Sequence, residues 1–318
     1  MRGARIRDDR RRCFLHCFNR AAGWKGDQLF GEVEKERLFR LAERLQKFYS
    51  IELISFVCMS NHWHALVCTH PELPGREEVK RRFRAFYGDG RIEPNWRDDA
   101  VVARYAARMR DVSCFVKDLQ QRFTCWFNRR HQRRGRLWAD RYKSVVLDGG
   151  RALWECLKYL EMNPVRAGLC ADPADYRFCS WGRYCGGGKH PFAAAFAKYA
   201  GDSQCTPGHT PDFEETAALL RTELARVAAA ERGGLPGEID AAQEAARKGV
   251  PFDLRVMRRV RYWSDGAIIG SKEFVQGFAA EFFGADRVRR KRLERSGAPP
   301  GGEAALYSFR QLKTTPAY

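Results

Sequence analysis

The sequence predicts an α+β protein, an antiparallel sheet backed by helices in a split βαβ arrangement, with a mostly helical C-terminal extension. Two observations carry this. Runs of strand length and runs with apolar residues at helical spacing succeed one another over residues 12–162 as strand, helix, two strands, helices, strand, helix. A triple glycine, Gly186-Gly187-Gly188, with a small-residue stretch after it, then breaks the pattern, and an alanine-rich helical pattern of mixed charge follows at 212–232. At 318 residues the chain can bury one sizeable core and has room for a smaller second unit. We therefore expect a boundary near residue 190, with one unit over 1–190 and a basic, mostly helical extension over 191–318.

RCFLHCFNR, residues 12–20, reads as a first strand. A helix from Glu32 to Tyr49 is predicted by Val33, Leu38, Leu41, Leu45 and Phe48, which keep roughly the helical period. IELISFVCM and HWHALVC flank the polar pair Ser60-Asn61 and read as two strands joined by a tight turn. Residues Arg76 to His131 are helical and basic, with an interruption at 88–95, and RYKSVVLD at 141–148 supplies a fourth strand. Gly149-Gly150 leads into a helix over 151–162 that Pro164 closes, because proline has no N–H to donate and clashes with the preceding turn. In the extension, helical patterns fall at 212–232, 237–248 and 252–262, with YWSDGAIIGSKEFVQGFAAEFF and the basic run RVRRKR at 287–292 after them. Residues 251–318 hold 13 basic against 7 acidic side chains, which suits an accessory DNA-binding unit.

Composition narrows the partners. Lys plus Arg number 57 against 39 Asp plus Glu, a formal charge of +18, and such an excess favours polyanions over acidic proteins or neutral metabolites. Nucleic acid comes first among these. No stretch approaches 18 uncharged apolar residues, and the basic N-terminus MRGARIRDDRRR has no signal-length apolar segment behind it, so no membrane partner and a cytoplasmic location are expected. The 11 cysteines are scattered through apolar surroundings and read as reduced thiols; Cys13 and Cys17 share a strand face but lack a second pair at zinc-finger spacing.

The residues with chemical potential begin at NHWHAL, 61–66. Side chains alternate along a strand, so His62 and His64 leave one face and Trp63 the other. Two neutral imidazoles side by side can hold a metal; equally they can sit at a strand edge and bond locally. In LKYLEMNPVRAGL, Tyr159 and Asn163 are four apart and share one helical face. Asn163 can be a cap before Pro164 and Tyr159 a packing residue. Together with the histidines they can also form a nucleophile beside a metal site, in which the phenol, with an ordinary pKa of about 10, needs activation or a polarised electrophile.

SNHWHALV, NRRHQRRGRLWADRYKS and YLEMNPVRAGL, three separated motifs within about residues 10–185, resemble the single-tyrosine (Y1) HUH transposases of the IS200-like family, in particular the branch associated with repetitive extragenic palindromes (REP). The resemblance implies a ferredoxin-like HUH catalytic domain that nicks and rejoins single-stranded DNA through a 5′-phosphotyrosine link, leaving a free 3′-OH, as in DNA transposition and recombination. It places the metal ligands on His62, His64 and Asn163, the nucleophile on Tyr159, and Mg²⁺ or Mn²⁺ as the cofactor. YWSDGAIIGSKEFV resembles an extension of larger members. Many relatives have tyrosine near position 123, where this chain has Phe123; position 159 is the one with a polar ligand four residues later.

DNA is expected on the basic segment 122–143, where eight Lys or Arg accompany a single Asp. Arg122, Arg129, Arg130, Arg133, Arg134, Arg136, Arg141 and Lys143, with Arg166 beside the catalytic helix, are the predicted DNA contacts, on a hairpin or palindromic substrate. Trp126, Phe127, Trp138 and Tyr142 would either stack on bases or, the reading we favour, pack in the core. His16 would be a supporting group behind the metal ligands, a DNA contact or a core histidine, and His131 a surface residue near DNA. Competing classes are a non-catalytic DNA-binding or regulatory protein derived from such a transposase, and an RNA-binding module. Monomer and homodimer both fit.

Overall fold

In the computed structural model, the described residues are 6, 8–23, 28–88, 90–232, 263–264, 266–290, 293–296 and 305–310. The helical patterns expected at 237–248 and 252–262 lie outside them, as do Tyr262, Asp265, Lys291 and Arg292.

Residues 13–161 contain β1 (Cys13–Arg20), α1 (Glu32–Phe48), β2 (Glu52–Cys58), β3 (His62–Thr69), α2 (Arg76–Tyr87), α3 (Asp99–Arg110), α4 (Val112–Arg130), β4 (Lys143–Leu147) and α5 (Arg151–Glu161). These keep the predicted order, most with ends displaced by a residue or two; the expected interruption at 88–95 runs on to Asp98, and a further break at Asp111, unforeseen because its cap continues the helical pattern, divides α3 from α4. A short turn, α6 (Asn163–Arg166), comes directly after α5, so Pro164 starts a new turn. Four strands pair antiparallel in the order β2-β3-β1-β4. A bulge in β2 between Leu53 and Ser55 resets the register so that Ser55 lies opposite Leu66.

Both faces of this sheet are covered, which is why β1 and β3 read as nearly continuous apolar runs. On one face Trp63 stacks on Phe56, which meets Phe39 of α1, and α4 adds Phe115, Phe123 and Phe127 to the same core. On the other face α5 lies across the strands, tied down where Ser55 Oγ donates to buried Glu161 at 2.7 Å. Gly150 enters α5 at φ 58°, a left-handed conformation that explains a glycine at that corner. Glu34 joins the covering helices: it accepts from Gly31 N–H at 3.0 Å at the start of α1 and from Arg130 Nε at 3.2 Å at the end of α4.

After α7 (Ser180–Gly187), α8 (Ala193–Ala195) and a π-turn over Phe196–Ala200 comes α9 (Phe213–Arg232), the helix expected at 212–232. The extension then supplies β5 (Gly266–Gly270), α10 (Lys272–Phe283), α11 (Ala285–Arg290), β6 (Glu294–Ser296) and β7 (Leu306–Arg310). β5 pairs parallel with β4, and the sheet runs on through β7 to β6, giving seven strands in the order β2-β3-β1-β4-β5-β7-β6. A Cβ at Gly270 would fall 2.4 Å from Asp148 Cβ, so glycine is what lets β5 close against the end of β4. The architecture is α+β.

Candidate active site

β1, β3, α5 and the start of the extension converge on one place. His62 and His64 leave the α5 face of β3 with ring centroids 5.1 Å apart, and Trp63 faces α1, as strand alternation requires. Phe18 of β1 stands opposite both His64 and Lys143, so Lys143 shares a row across the sheet with His64. Arg20 pairs with His62.

The hydrogen bonds assign the imidazole tautomers. His16 Nδ1 donates to the Trp263 carbonyl at 3.2 Å, which leaves His16 Nε2 as an acceptor. His64 Nδ1 lies 2.9 Å from that Nε2 and must carry the proton between them. The remaining nitrogen, His64 Nε2, therefore bears a lone pair; it is buried and meets no hydrogen-bond partner among the described residues. His62 Nδ1 donates to Asn61 Oδ1 at 2.7 Å, so its Nε2 also carries a lone pair.

Burial keeps these rings neutral. It pushes His16 down to about 3, lowers His62 to about 4 with help from Arg20, and holds His64 well below the usual range, where neighbouring His62, His16 and Arg166 act in the same direction. Neutral imidazole is the form that ligates a metal.

Tyr159 comes down from α5 onto the histidines, its ring centroid 6.1 Å from His64 and 5.9 Å from His16, both edge-on. Trp263 stacks on it at 5.5 Å, and the Arg166 guanidinium lies 4.3 Å from its ring centroid. It is 2 % exposed. Burial raises its pKa, and the Arg166 charge pulls the other way. Arg166 Nη2 also donates to the Tyr159 carbonyl at 2.7 Å, so one side chain both holds the end of α5 and sets a positive charge on the phenol ring.

Asn163 uses its amide nitrogen to cap the helix, donating to the carbonyls of Tyr159 at 3.0 Å and Leu160 at 3.3 Å. Oδ1 is then the atom it offers to a cation. The two imidazole lone pairs suit a divalent ion of the Mn²⁺ kind, with oxygen ligands supplied from elsewhere, and Mg²⁺ through its greater demand for oxygen would rely more on water and substrate.

The basic segment divides. Ala139 N donates to Arg20 O at 3.0 Å and Ala22 N to Leu137 O at 2.7 Å, which brings the loop after α4 to the end of the sheet where His62 stands. Arg129, Arg134, Arg136, Arg141 and Lys143 are exposed. Arg130 pairs with Glu34, Arg133 lies over Phe127, and Arg122 stacks over Phe86 of α2. Phe127 and Tyr142 are core residues, whereas Trp126 and Trp138 are half-buried. Phe123 is fully buried on the α1 side of the sheet. His131 is exposed and bonds Glu34 at 3.1 Å.

Trp263 and Arg20 are not found by reading the sequence. For Arg20 the signal is present, since antiparallel pairing of two adjacent strands sets it beside His62. For Trp263 there is none, because its place depends on a contact spanning 247 residues.

No family model matches the chain, and no curated protein does. Among solved structures the chain is similar to a REP-associated tyrosine transposase bound to a REP hairpin, at 15 % identity and a TM-score of 0.40, over 59 % of this chain and 87 % of that one. That is a distant structural likeness, and the functional reading rests on the site itself. No helix among the described residues is long and apolar enough to cross a membrane.

Proposed function

We propose that the chain is a metal-dependent single-stranded DNA endonuclease of the HUH, IS200-like transposase type, nicking and rejoining DNA through Tyr159. The observation that carries this is the buried Nε2 of His64, without a hydrogen-bond partner among the described residues, beside the Tyr159 ring. A buried ring nitrogen without a partner costs free energy unless something occupies it, and a nucleophile candidate stands next to it.

In this reading His62, His64 and Asn163 hold a Mg²⁺ or Mn²⁺ ion, which when bound polarises a non-bridging oxygen of the scissile phosphate. Tyr159 Oη attacks phosphorus, the bond to O3′ breaks, the phenol proton passes to solvent, and the departing O3′ takes a proton from water to leave as a 3′-OH. The new Tyr159–phosphate ester keeps the bond energy, so a later 3′-OH attack re-forms the phosphodiester and frees the phenol without ATP. Arg166 sets a positive charge at the phosphate, and Arg20 and Lys143 extend it along the sheet end. Arg129, Arg133, Arg134, Arg136 and Arg141 track the backbone of the strand, with DNA hairpins or palindromes as the substrate form, in a cytoplasmic protein acting as monomer or homodimer.

The test uses labelled single-stranded DNA carrying hairpins from the flanks of the protein's own gene. With Mn²⁺ or Mg²⁺, a protein-linked DNA species is expected on a denaturing gel, and Tyr159→Phe or a chelator should abolish it. Binding without any adduct would instead support a non-catalytic DNA-binding or regulatory protein. The burial of Tyr159 between Trp263 and Arg166 favours that second reading, since a phosphate must displace part of this cover.

A further inference from the structure

At the far end of the same sheet face, a second group of donors meets. Glu52 and Cys68 are direct cross-strand partners on β2 and β3, so their side chains leave the same face. His70 continues that alternation just past the end of β3, and the π-turn brings Tyr199 over all three.

Their contacts crowd onto one atom. His70 Nε2 lies 2.5 Å from Glu52 Oε2, 3.0 Å from the Tyr199 hydroxyl and 3.7 Å from Cys68 Sγ. The Tyr199 hydroxyl also donates to Glu52. Without an ion, Glu52 can accept from both His70 and the Tyr199 hydroxyl, and the Cys68 thiol has the Thr69 carbonyl at 3.8 Å. A cation at the centre would take the place of these protons and draw on the same converging atoms.

We propose that Glu52, Cys68 and His70 form a second metal site of the zinc class, with Tyr199 or water in the fourth position. The three donor atoms already lie within 4.8 Å of one another. Zinc bonds of about 2.3 Å to sulfur and about 2.0 Å to nitrogen, at tetrahedral angles, separate S and N by roughly 3.5 Å. The observed Cys68–His70 distance of 3.7 Å fits this, and the Glu52 carboxylate, 2.5 Å from His70, would have to back away to about 3.3 Å.

Sulfur, imidazole and carboxylate together select zinc over Mg²⁺. His70 and Glu52 side chains are 27 % and 31 % exposed, so an ion has a way in, while Cys68 is fully buried and shielded. Burial pushes the free Cys68 thiol up to about 12, so binding breaks its S–H bond, forms S–Zn and releases one proton to the buffer. Arg12 and Lys198 stand near enough to favour the thiolate.

Bound, the ion would pin the π-turn to the open end of the β2–β3 pair. Cys68 is four residues along β3 from His64, about 13 Å at ~3.3 Å per residue, so this site is separate from the candidate active site and independent of the nicking reading.

The full-length protein, stripped with chelator, is titrated with Zn²⁺ and then with Co²⁺, whose thiolate charge-transfer absorption reports sulfur ligation. One equivalent that brings cobalt–thiolate absorption is expected, apart from any ion taken up at His62 and His64. Its cobalt–thiolate absorption should vanish in Cys68→Ser, its affinity should weaken at least about tenfold in His70→Gln, the scale on which even outer-sphere partners act, and His64→Ala should leave both unchanged. Persistence of the absorption in Cys68→Ser, its absence from the wild type, or its loss in His64→Ala would overturn the proposal. If Cys68→Ser does not fold by circular dichroism, His70→Gln and Glu52→Gln, on half-exposed side chains, decide it: unaltered affinity in both overturns the site.

Discussion

The two ring nitrogens of His64 have different tasks. Nδ1 gives its proton to His16, and Nε2 keeps a lone pair in a buried space. His16 can accept only because the Trp263 carbonyl takes the proton on its other nitrogen. If His64 holds the proposed ion, His16 is a positioning residue, and His16→Phe should weaken Mn²⁺ binding by about 10- to 100-fold in calorimetry, with His16→Gln recovering part of the loss. Nitrogen chemical shifts of His64 should show mixed tautomers in His16→Phe. A merely space-filling His16 would leave both readouts unmoved.

A third buried histidine, His190, gives a pH effect outside this site. Its Nδ1 accepts from Phe192 N–H at 3.1 Å, its ring stacks on Phe196, and burial lowers its pKa to about 3. The folded pKa is depressed, so its contribution is full above the unfolded value of about 6.5 and is lost as pH falls from there toward 3. Between pH 6.5 and 5 this removes about 2 kcal/mol. Urea unfolding at the two pH values should show the loss in the wild type, and His190→Asn, which keeps an acceptor without a titrating ring, should show about 2 kcal/mol less of it.

At the scale of elements, the helices that shape the α1 face depend on their ends. Asp111 ends α3 and begins α4, accepting from Ser113 N–H at 2.6 Å and Cys114 N–H at 3.3 Å. Asp111→Ala should cost about 1 kcal/mol in denaturant unfolding through the lost cap. An unchanged midpoint would mean that packing of Phe115 and Leu119 fixes the start of α4 alone. Most of the strands and helices in residues 13–161 were legible because each has its own period and its own stop signals: Gly149-Gly150 before α5, and the polar turn between β2 and β3. The turn at Asn163 was less legible, because a proline that ends one helix is equally at home in the first turn of the next.

For the whole molecule, charge and sheet continuity matter most. If the loop after α4 grips a single strand, Arg133, Arg134 and Arg136 each release counterions on binding, and replacing all three by Gln should lower the slope of log affinity against log salt by about 2, at ~0.7 per phosphate contact. Anisotropy titrations at several salt concentrations would read this; an unaltered slope would move the DNA path off the loop. The second large-scale feature is the three strands from the extension. β5 has an uninterrupted apolar sequence of five residues, too short for its period to separate strand from helix, and it becomes a strand because the free edge of β4 pairs with it.

What the sequence determined by itself is local: the alternation that puts His62 and His64 on one face, the helical spacing that presents Tyr159 with Asn163, and the excess of positive charge. Each arises from backbone geometry or composition within a few residues of the group concerned. Tertiary structure alone decided that His16 and Trp263 set the tautomer of His64, that Trp263 and Arg166 cover Tyr159, and that Glu52, Cys68, His70 and Tyr199 share one point. These depend on contacts between residues far apart in the chain, whose distances are fixed by strand pairing and packing and leave no period in the sequence.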